Sequence, residues 1–239
     1  MGSEMCIRDR CNGRSPVWQF ASGYFQSRKI IGMDSVPFHR RGIAACSIGT
    51  MSWIKRLFDL VLSLILGVLL LIPLLILALA VRMSSPGPAL YWSDRIGKNN
   101  KIFKMPKFRS MRLGTPALAT HLLMNPESVF TPIGPFLRKS SLDELPQLWS
   151  ILTGDMSFVG PRPALFNQHD LMAMRSAKGI DALVPGLTGW AQINGRDELP
   201  LEQKVALDYE YLLKKSFLLD LKILCLTGIK VIARKDVSH

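Results

Sequence analysis

The chain has 239 residues, 48% of them hydrophobic, and a formal net charge of +12. That length suffices for one domain with its own core, and the positive mean hydropathy argues against an ordinary soluble domain. The basic balance points to a polyanionic partner (nucleic acid, an anionic membrane surface or a phosphorylated substrate), while cysteines at 6, 11, 46 and 225 form neither a CxxC pair nor a metal-ligand spacing, which argues against a disulfide scaffold.

Residues 1–50 begin MGSEMCIRDR and continue as a Gly, Ser and Arg mixture without a sustained period. The string MCIRDR looks like a translated sequencing adapter, and Met51 opens a more regular sequence. Residues 1–50 are therefore read as an artefact of cloning, assembly or start-site choice, with a disordered N-terminal extension as the alternative. From Met51 onward there are 23 Lys and Arg against 15 Asp and Glu, a net of +8, so the basic character is not confined to the first fifty residues.

Leu60 to Val81 reads LVLSLILGVLLLIPLLILALAV, 22 residues without a charge. As one helix it would be about 33 Å long, close to the roughly 30 Å hydrocarbon core of a bilayer. It is apolar on all sides, unlike an amphipathic surface helix. A spanning helix, a cleaved signal peptide and a re-entrant hairpin compete. The run is too long for a signal peptide. Pro73 kinks a helix by removing a backbone hydrogen bond, but spanning helices tolerate such kinks. Lys55 and Arg56 precede the run; Arg82 and seven more basic residues between 95 and 112 follow it. Positive charge marks the cytoplasmic side, so both ends are expected there.

Ser84-Ser85-Pro86-Gly87-Pro88 then breaks the pattern. Residues 89–95 and 101–108 flank Gly97-Lys98-Asn99-Asn100 and read as a β-hairpin. Residues 114–135 read as loop with one short helical piece, 146–153 as a helix ended by Gly154, and 164–178 as helix. The stretch 184–195 reads as a Gly-rich loop, and 201–213 and 217–232 as helices. The last of these carries Lys222 and Lys230, followed by Arg234 and Lys235, at roughly helical spacing on a dense apolar background. It is either an interfacial helix with its lysines toward headgroups or an ordinary core helix.

The chemistry concentrates in SLDELPQLWSILTGDMSFVGPRP, residues 141–163. Ser141-Leu142-Asp143-Glu144 fits a capping box, and acids in a first turn complement the helix dipole. Pro146, however, fits best at the first helical position, which puts the acids on the approach to the helix. Arg138 and Lys139 stand just upstream. Arg162 sits in Gly160-Pro161-Arg162-Pro163, where prolines fix φ, and a guanidinium fork suits a phosphate. Carboxylates, arginines and a membrane segment together suggest phosphoryl chemistry on a lipid. An aspartate can attack phosphorus and hold a covalent intermediate, with a divalent metal neutralising the phosphates. Adjacent side chains on a helix diverge by about 100°, so Asp143 and Glu144 take different jobs rather than facing each other as in a glycosidase. Asp155 reads as a supporting acid or a turn former, Trp149 as core, and His121 and His169 as surface. Trp190 and Gln192 touch a nucleotide or sugar, or pack a turn.

From about Trp53 onward the chain resembles the bacterial sugar transferases, the small monotopic phosphoglycosyl transferases. The resemblance rests on IKRLFDLVLSL, SSPGPALYWSDRIGKNNKIFK, KFRSM, FLRKSSLDELPQLWSILTGDMSFVGPRPAL, PGLTGWAQINGR and FLLDLKIL, in that order. It implies transfer of a sugar 1-phosphate from a UDP-sugar to undecaprenyl phosphate with release of UMP. It implies Asp143 as nucleophile and neighbour of Mg2+, Glu144 as its partner, Arg138 and Arg162 at phosphate-contacting positions, and Lys107 and Arg109 of KFRSM as further candidates. It also implies a first helix that is re-entrant and broken at a proline, matched by Pro73. Ile72 departs from the Ser that many members carry, and Met105-Pro106 from an aromatic.

The expected organisation is a re-entrant membrane helix over 51–83 and a catalytic domain over 84–239 at the cytoplasmic face of the bacterial inner membrane. The fold class is α+β, mainly α: the helix-break-helix membrane hairpin, a small β-hairpin and a compact helical catalytic domain with interfacial amphipathic helices. Expected partners are a UDP-sugar, undecaprenyl phosphate and membrane lipids, with room for a homo-oligomer. Nucleic acid is not expected, given the charge-free run and the lack of a DNA-binding motif. A non-catalytic membrane scaffold of polysaccharide assembly is the alternative. The sequence does not identify the sugar.

Overall fold

The computed structural model describes residues 53–115, 129–195 and 199–233. The reading of residues 1–50 lies outside them, as do most of the loop expected over 114–135, His121, Arg234 and Lys235.

Two helices open the described chain, α1 (Trp53–Leu69) and α2 (Leu71–Ser84), bent by 63° at Leu70. Pro73 explains the bend. It offers no N–H to the preceding turn, and its ring crowds the carbonyl four residues back. The ladder resumes beyond it, with Leu74 N–H on the Leu70 carbonyl at 2.8 Å. Among the described residues no single helix is long and apolar enough to cross a membrane; α1 and α2 pass that test only together.

The hairpin forms as expected, from β1 (Leu90–Ile96) and β2 (Ile102–Phe108), antiparallel with Tyr91 opposite Lys107. After α3 (Gly134–Lys139), a 3-10 helix (Leu142–Gln147) runs directly into α4 (Leu148–Thr153). Helical structure thus begins before Pro146. Gly154 ends it at φ 95°. β3 (Ser157–Val159) pairs in parallel with β4 (Gly186–Thr188), across α5 (His169–Ala177). The stretch expected as a loop over 184–195 therefore holds a strand and a one-turn helix, α6 (Trp190–Ile193). Contact is the reason: a Cβ on Gly160 or Gly186 would strike the backbone of the other segment. Glycine here permits a close strand pairing rather than marking a loop. The helices α7 (Leu201–Lys214) and α8 (Phe217–Ala233) follow. The architecture is mainly helical with two two-stranded sheets.

One core cluster joins Met105 of β2, Leu148 and Ile151 of α4, Phe158 and Val159 of β3, Tyr211 of α7 and Ile223 of α8. Trp149 is not in it, contrary to expectation, and is 58% exposed. Leu148 and Ile151 take the buried side of α4, and the intervening position points about 100° away from Leu148.

The polarity of α1 is inverted. Its buried residues are Asp59 and Ser63, whereas Trp53, Leu57, Val61, Leu64 and Val68 are exposed. In water both choices would cost stability. Most polar groups of its inner side are met by protein, although Asp59 Oδ2 is buried without a hydrogen-bond partner among the described residues. Lys55 Nζ donates to the Val159 carbonyl at 2.8 Å, the Tyr211 hydroxyl at 3.0 Å and Asp220 at 2.7 Å. Arg56 donates to the carbonyls of Ile151 and Leu152 in the last turn of α4, where unpaired carbonyls favour a cation. The two cations read from sequence as a flanking signal are thus committed to the protein.

Lys55 ties α1 to β3, α7 and α8. Lys55→Met strands the buried Asp220 carboxylate and is expected to cost about 3–5 kcal/mol in denaturant unfolding of detergent-solubilised protein. Adding Asp220→Leu should recover most of that loss.

Candidate active site

β2, the 3-10 helix and the turn after β3 meet at Glu144. Its Oε1 accepts from Lys107 Nζ at 2.9 Å and from Arg162 Nη2 at 2.9 Å. β2 packs on the 3-10 helix, which brings Lys107 in. The two prolines and a parallel strand fix the turn that carries Arg162. With three residues per turn, a 3-10 helix directs successive side chains about 120° apart, so the two acids face different surroundings. Both ion pairs of this cluster fall on Glu144, not on Asp143.

A cavity of about 270 Å³ opens beside Glu144. Ser141, Glu144, Arg162, Thr188, Gln192 and Thr227 give it polar walls; Leu66 and Leu70 at the α1–α2 bend, with Leu148, Phe158 and Leu224, give it apolar ones. Asp143 is 7% exposed and is not among the lining residues. A second hollow of about 30 Å³, bordered by Ile96, Pro161, Met172 and Arg175, has room for only about one or two waters.

The electrostatics separate the two acids. Burial pushes the Glu144 carboxyl up, but the charges of Arg162 and Lys107 and their hydrogen bonds pull it down further, leaving it well below the usual carboxylate range. Burial pushes Asp143 up, and Glu144 adds to the rise; Lys107, Arg138 and Arg162 oppose it without cancelling it. Glu144 is therefore a fixed anion that holds cations in place. Asp143 is a buried carboxyl inside the same positive field and forms no ion pair with the other described residues.

The other expected residues divide. Arg138 joins the cluster: it donates to Ser110 Oγ at 3.0 Å, lies 5.1 Å over the Phe130 ring, and its charge acts on Asp143 and Glu144. Arg109 does not. It is 4% exposed and donates to the Ser85 and Pro86 carbonyls and the Ser85 hydroxyl. The breaker segment after α2 offers carbonyls outside any ladder, and the arginine fork satisfies them. Arg109 is a tie between β2 and that segment, which corrects the expected phosphate contact. Ser141 makes no side-chain cap, so the capping box is not formed. Asp155 accepts from the Thr153 hydroxyl at an exposed turn. Trp190 donates to Glu210 of α7, while Gln192 reaches the cavity wall.

Sequence reasoning missed the support behind Arg162. Arg175 Nη1 donates to the Arg162 carbonyl at 2.8 Å, and its Nε and Nη2 grip Asp208 Oδ2 at 3.0 and 2.6 Å. Asp208 shares the buried side of α7 with Val205 and Tyr211. An acid at an apolar helical position was the available signal.

Among the described residues no three His, Cys, Asp or Glu side chains converge as a metal site. Mg2+ needs less: it is often held by one or two carboxylates plus substrate phosphates. Asp143 offers one carboxylate of that kind, buried and outside the cavity lining.

The model of the bacterial sugar transferase family matches residues 50–234. The chain belongs to that family. The uncharacterised sugar transferase EpsL of Bacillus subtilis is 40% identical over 186 residues, covering 78% of this chain and 91% of EpsL. The UDP-glucose:undecaprenyl-phosphate glucose-1-phosphate transferase of Escherichia coli is 40% identical over 227 residues, covering 92% of this chain and 48% of that one. The undecaprenyl-phosphate galactose phosphotransferase of Salmonella typhimurium is 34% identical over 205 residues, covering 78% and 42%. The chain thus spans nearly all of the Bacillus relative and about half or less of the other two.

Glu144→Gln leaves Lys107 and Arg162 without their shared anion and is expected to lower unfolding free energy by about 2–3 kcal/mol near neutral pH. The folded carboxyl lies below its unfolded value, so this contribution is complete above about pH 4.3 and shrinks as the pH falls through the folded value. Denaturant unfolding of wild type and variant at pH 7 and in acid checks both the size and the sign.

Proposed function

We propose that the chain transfers a sugar 1-phosphate from a UDP-sugar to undecaprenyl phosphate, releasing UMP, as the first membrane step of a surface-glycan pathway. The observation that carries this reading is a single cavity with two characters. Glu144 and Arg162, with Lys107 behind Glu144, make one part attractive to phosphate; Leu66 and Leu70, at the bend of the apolar helices, make another part attractive to a lipid chain. The name of the Escherichia coli relative gives a UDP-sugar donor and an undecaprenyl-phosphate acceptor, and that of the Salmonella relative the same acceptor, which supports these substrate classes here.

The Arg162 fork takes oxygens of the donor pyrophosphate, and Glu144 keeps Arg162 and Lys107 at their stations. An Asp143 carboxylate oxygen attacks the phosphorus that bears the sugar. The bond from that phosphorus to the UMP oxygen breaks, and UMP leaves with the electron pair. A phosphate oxygen of undecaprenyl phosphate then attacks the same phosphorus, and the Asp143 carboxylate departs. Because Asp143 is buried and does not line the cavity, the attack requires the 3-10 turn to present it there. Mg2+ held by Asp143 and the substrate phosphates would neutralise charge between the two anions.

The inverted α1 and the exposed apolar side chains of α2 support a bilayer as their surroundings. In this reading residues 51–83 form a re-entrant hairpin and residues 84–239 rest on the cytoplasmic face, with Trp149 and Phe136, both exposed, at the lipid boundary.

The test is UMP release from a panel of UDP-sugars by protein in lipid nanodiscs, with Mg2+ and undecaprenyl phosphate. One donor is expected to react, chelation to stop it, and Asp143→Asn to reduce it about 10³-fold or more. Mass mapping of quenched protein should find a phosphosugar on the peptide containing Asp143. Full activity in Asp143→Asn would sink the nucleophile assignment. Folded protein inert toward every UDP-sugar would favour the non-catalytic scaffold.

A further inference from the structure

Three non-glycine residues among those described have positive φ: Asn99, Asn100 and Ser141. Asparagine is enriched in that region; serine has no such excuse, and glycine enters it without steric cost. Ser141, at φ 57° and ψ 17°, joins α3 to the 3-10 helix. Its backbone makes the turn unaided. The N–H donates to the Arg138 carbonyl at 3.0 Å, and the carbonyl accepts from the Glu144 N–H at 3.2 Å. Neither bond uses the hydroxyl, which makes no cap on the following helix.

The turn thus favours glycine, yet the chain places serine there. What glycine lacks is an O–H. That side chain stands on the wall of the same cavity as Glu144 and Arg162. A hydroxyl is a rotatable donor, and its bond to an anionic oxygen is short and strong. Arg162 supplies charge; Ser141 supplies a directed donor two residues from Asp143.

We propose that the Ser141 hydroxyl is a catalytic contact, donating a hydrogen bond to a substrate phosphate oxygen beside Arg162. This rests on the function proposed above. The donor pyrophosphate and the acceptor lipid phosphate share the required chemistry.

Ser141→Gly and Ser141→Ala, each in the full chain in nanodiscs, test the proposal. A role confined to the turn predicts a glycine variant at least as active as wild type. The proposal predicts a glycine variant that unfolds at or above the wild-type temperature while kcat/KM for UMP release falls about tenfold to a hundredfold, with the alanine variant falling alike. A loss already present in the single-turnover UMP burst without acceptor assigns the contact to the donor pyrophosphate. A loss seen only in transfer to undecaprenyl phosphate assigns it to the lipid phosphate. Wild-type kcat/KM in both steps for Ser141→Gly overturns the proposal and leaves the transferase reading intact. Absence of UMP release from wild type overturns both.

Discussion

Glu144 is held where loss of water alone would make its charge unfavourable, and Lys107 and Arg162 reverse that balance. The two cations come from separate parts of the chain: one from the β-hairpin, the other from the turn after β3. Neither element can be misplaced without stranding a charge, so the hairpin, the 3-10 helix and the Gly160–Pro163 turn are fixed relative to one another by the same atoms that make the site. Arg175 donates to the Arg162 carbonyl and Asp208 accepts from Arg175, which extends the constraint to α5 and α7. In such a network the compensation is complete only when every member is seated.

The same logic runs through α1 in reverse. A helix of a water-soluble protein hides its leucines and shows its charges; α1 hides Asp59 and Ser63 and shows leucines and valines. Its inner polar groups serve as connectors. Lys55 reaches β3, α7 and α8, and Arg56 the end of α4. The apolar bent helix pair is therefore an integral part of the fold, and its bend at Leu70 contributes to the cavity wall.

Much of this was legible in the sequence. The β-hairpin followed from two short runs around Gly97–Asn100, and α7 and α8 from their periodicity. The charged cluster followed from residue types, and the different surroundings of Asp143 and Glu144 from helix geometry, whereas the choice of Asp143 as nucleophile rests on family resemblance. The failures share a cause. Arg109 and Arg162 look alike in sequence; only the bare carbonyls of Ser85 and Pro86 tell them apart. The S-x-x-E pattern is present, but Lys107 and Arg162 draw the Glu144 carboxylate away from a capping role. Trp149 reads as core in the sequence, but Leu148 and Ile151 take the buried side of α4 and leave it exposed. The glycines of 184–195 look like loop signals locally, while their reason lies in a distant strand. Each of these differences turns on contacts that local sequence does not display.

That last contact bears on how such a molecule can change over generations. Gly160 and Gly186 press backbone on backbone with no space for a methyl group. The pairing they make can neither widen nor shift by small steps, because the smallest substitution at either position already collides. Leu187 and Thr188, carried on this segment, and Gln192 and Thr227 beside it project side chains at the cavity. Variation in the lining of this cavity has its freedom in those side chains, over a main-chain frame that stays as it is.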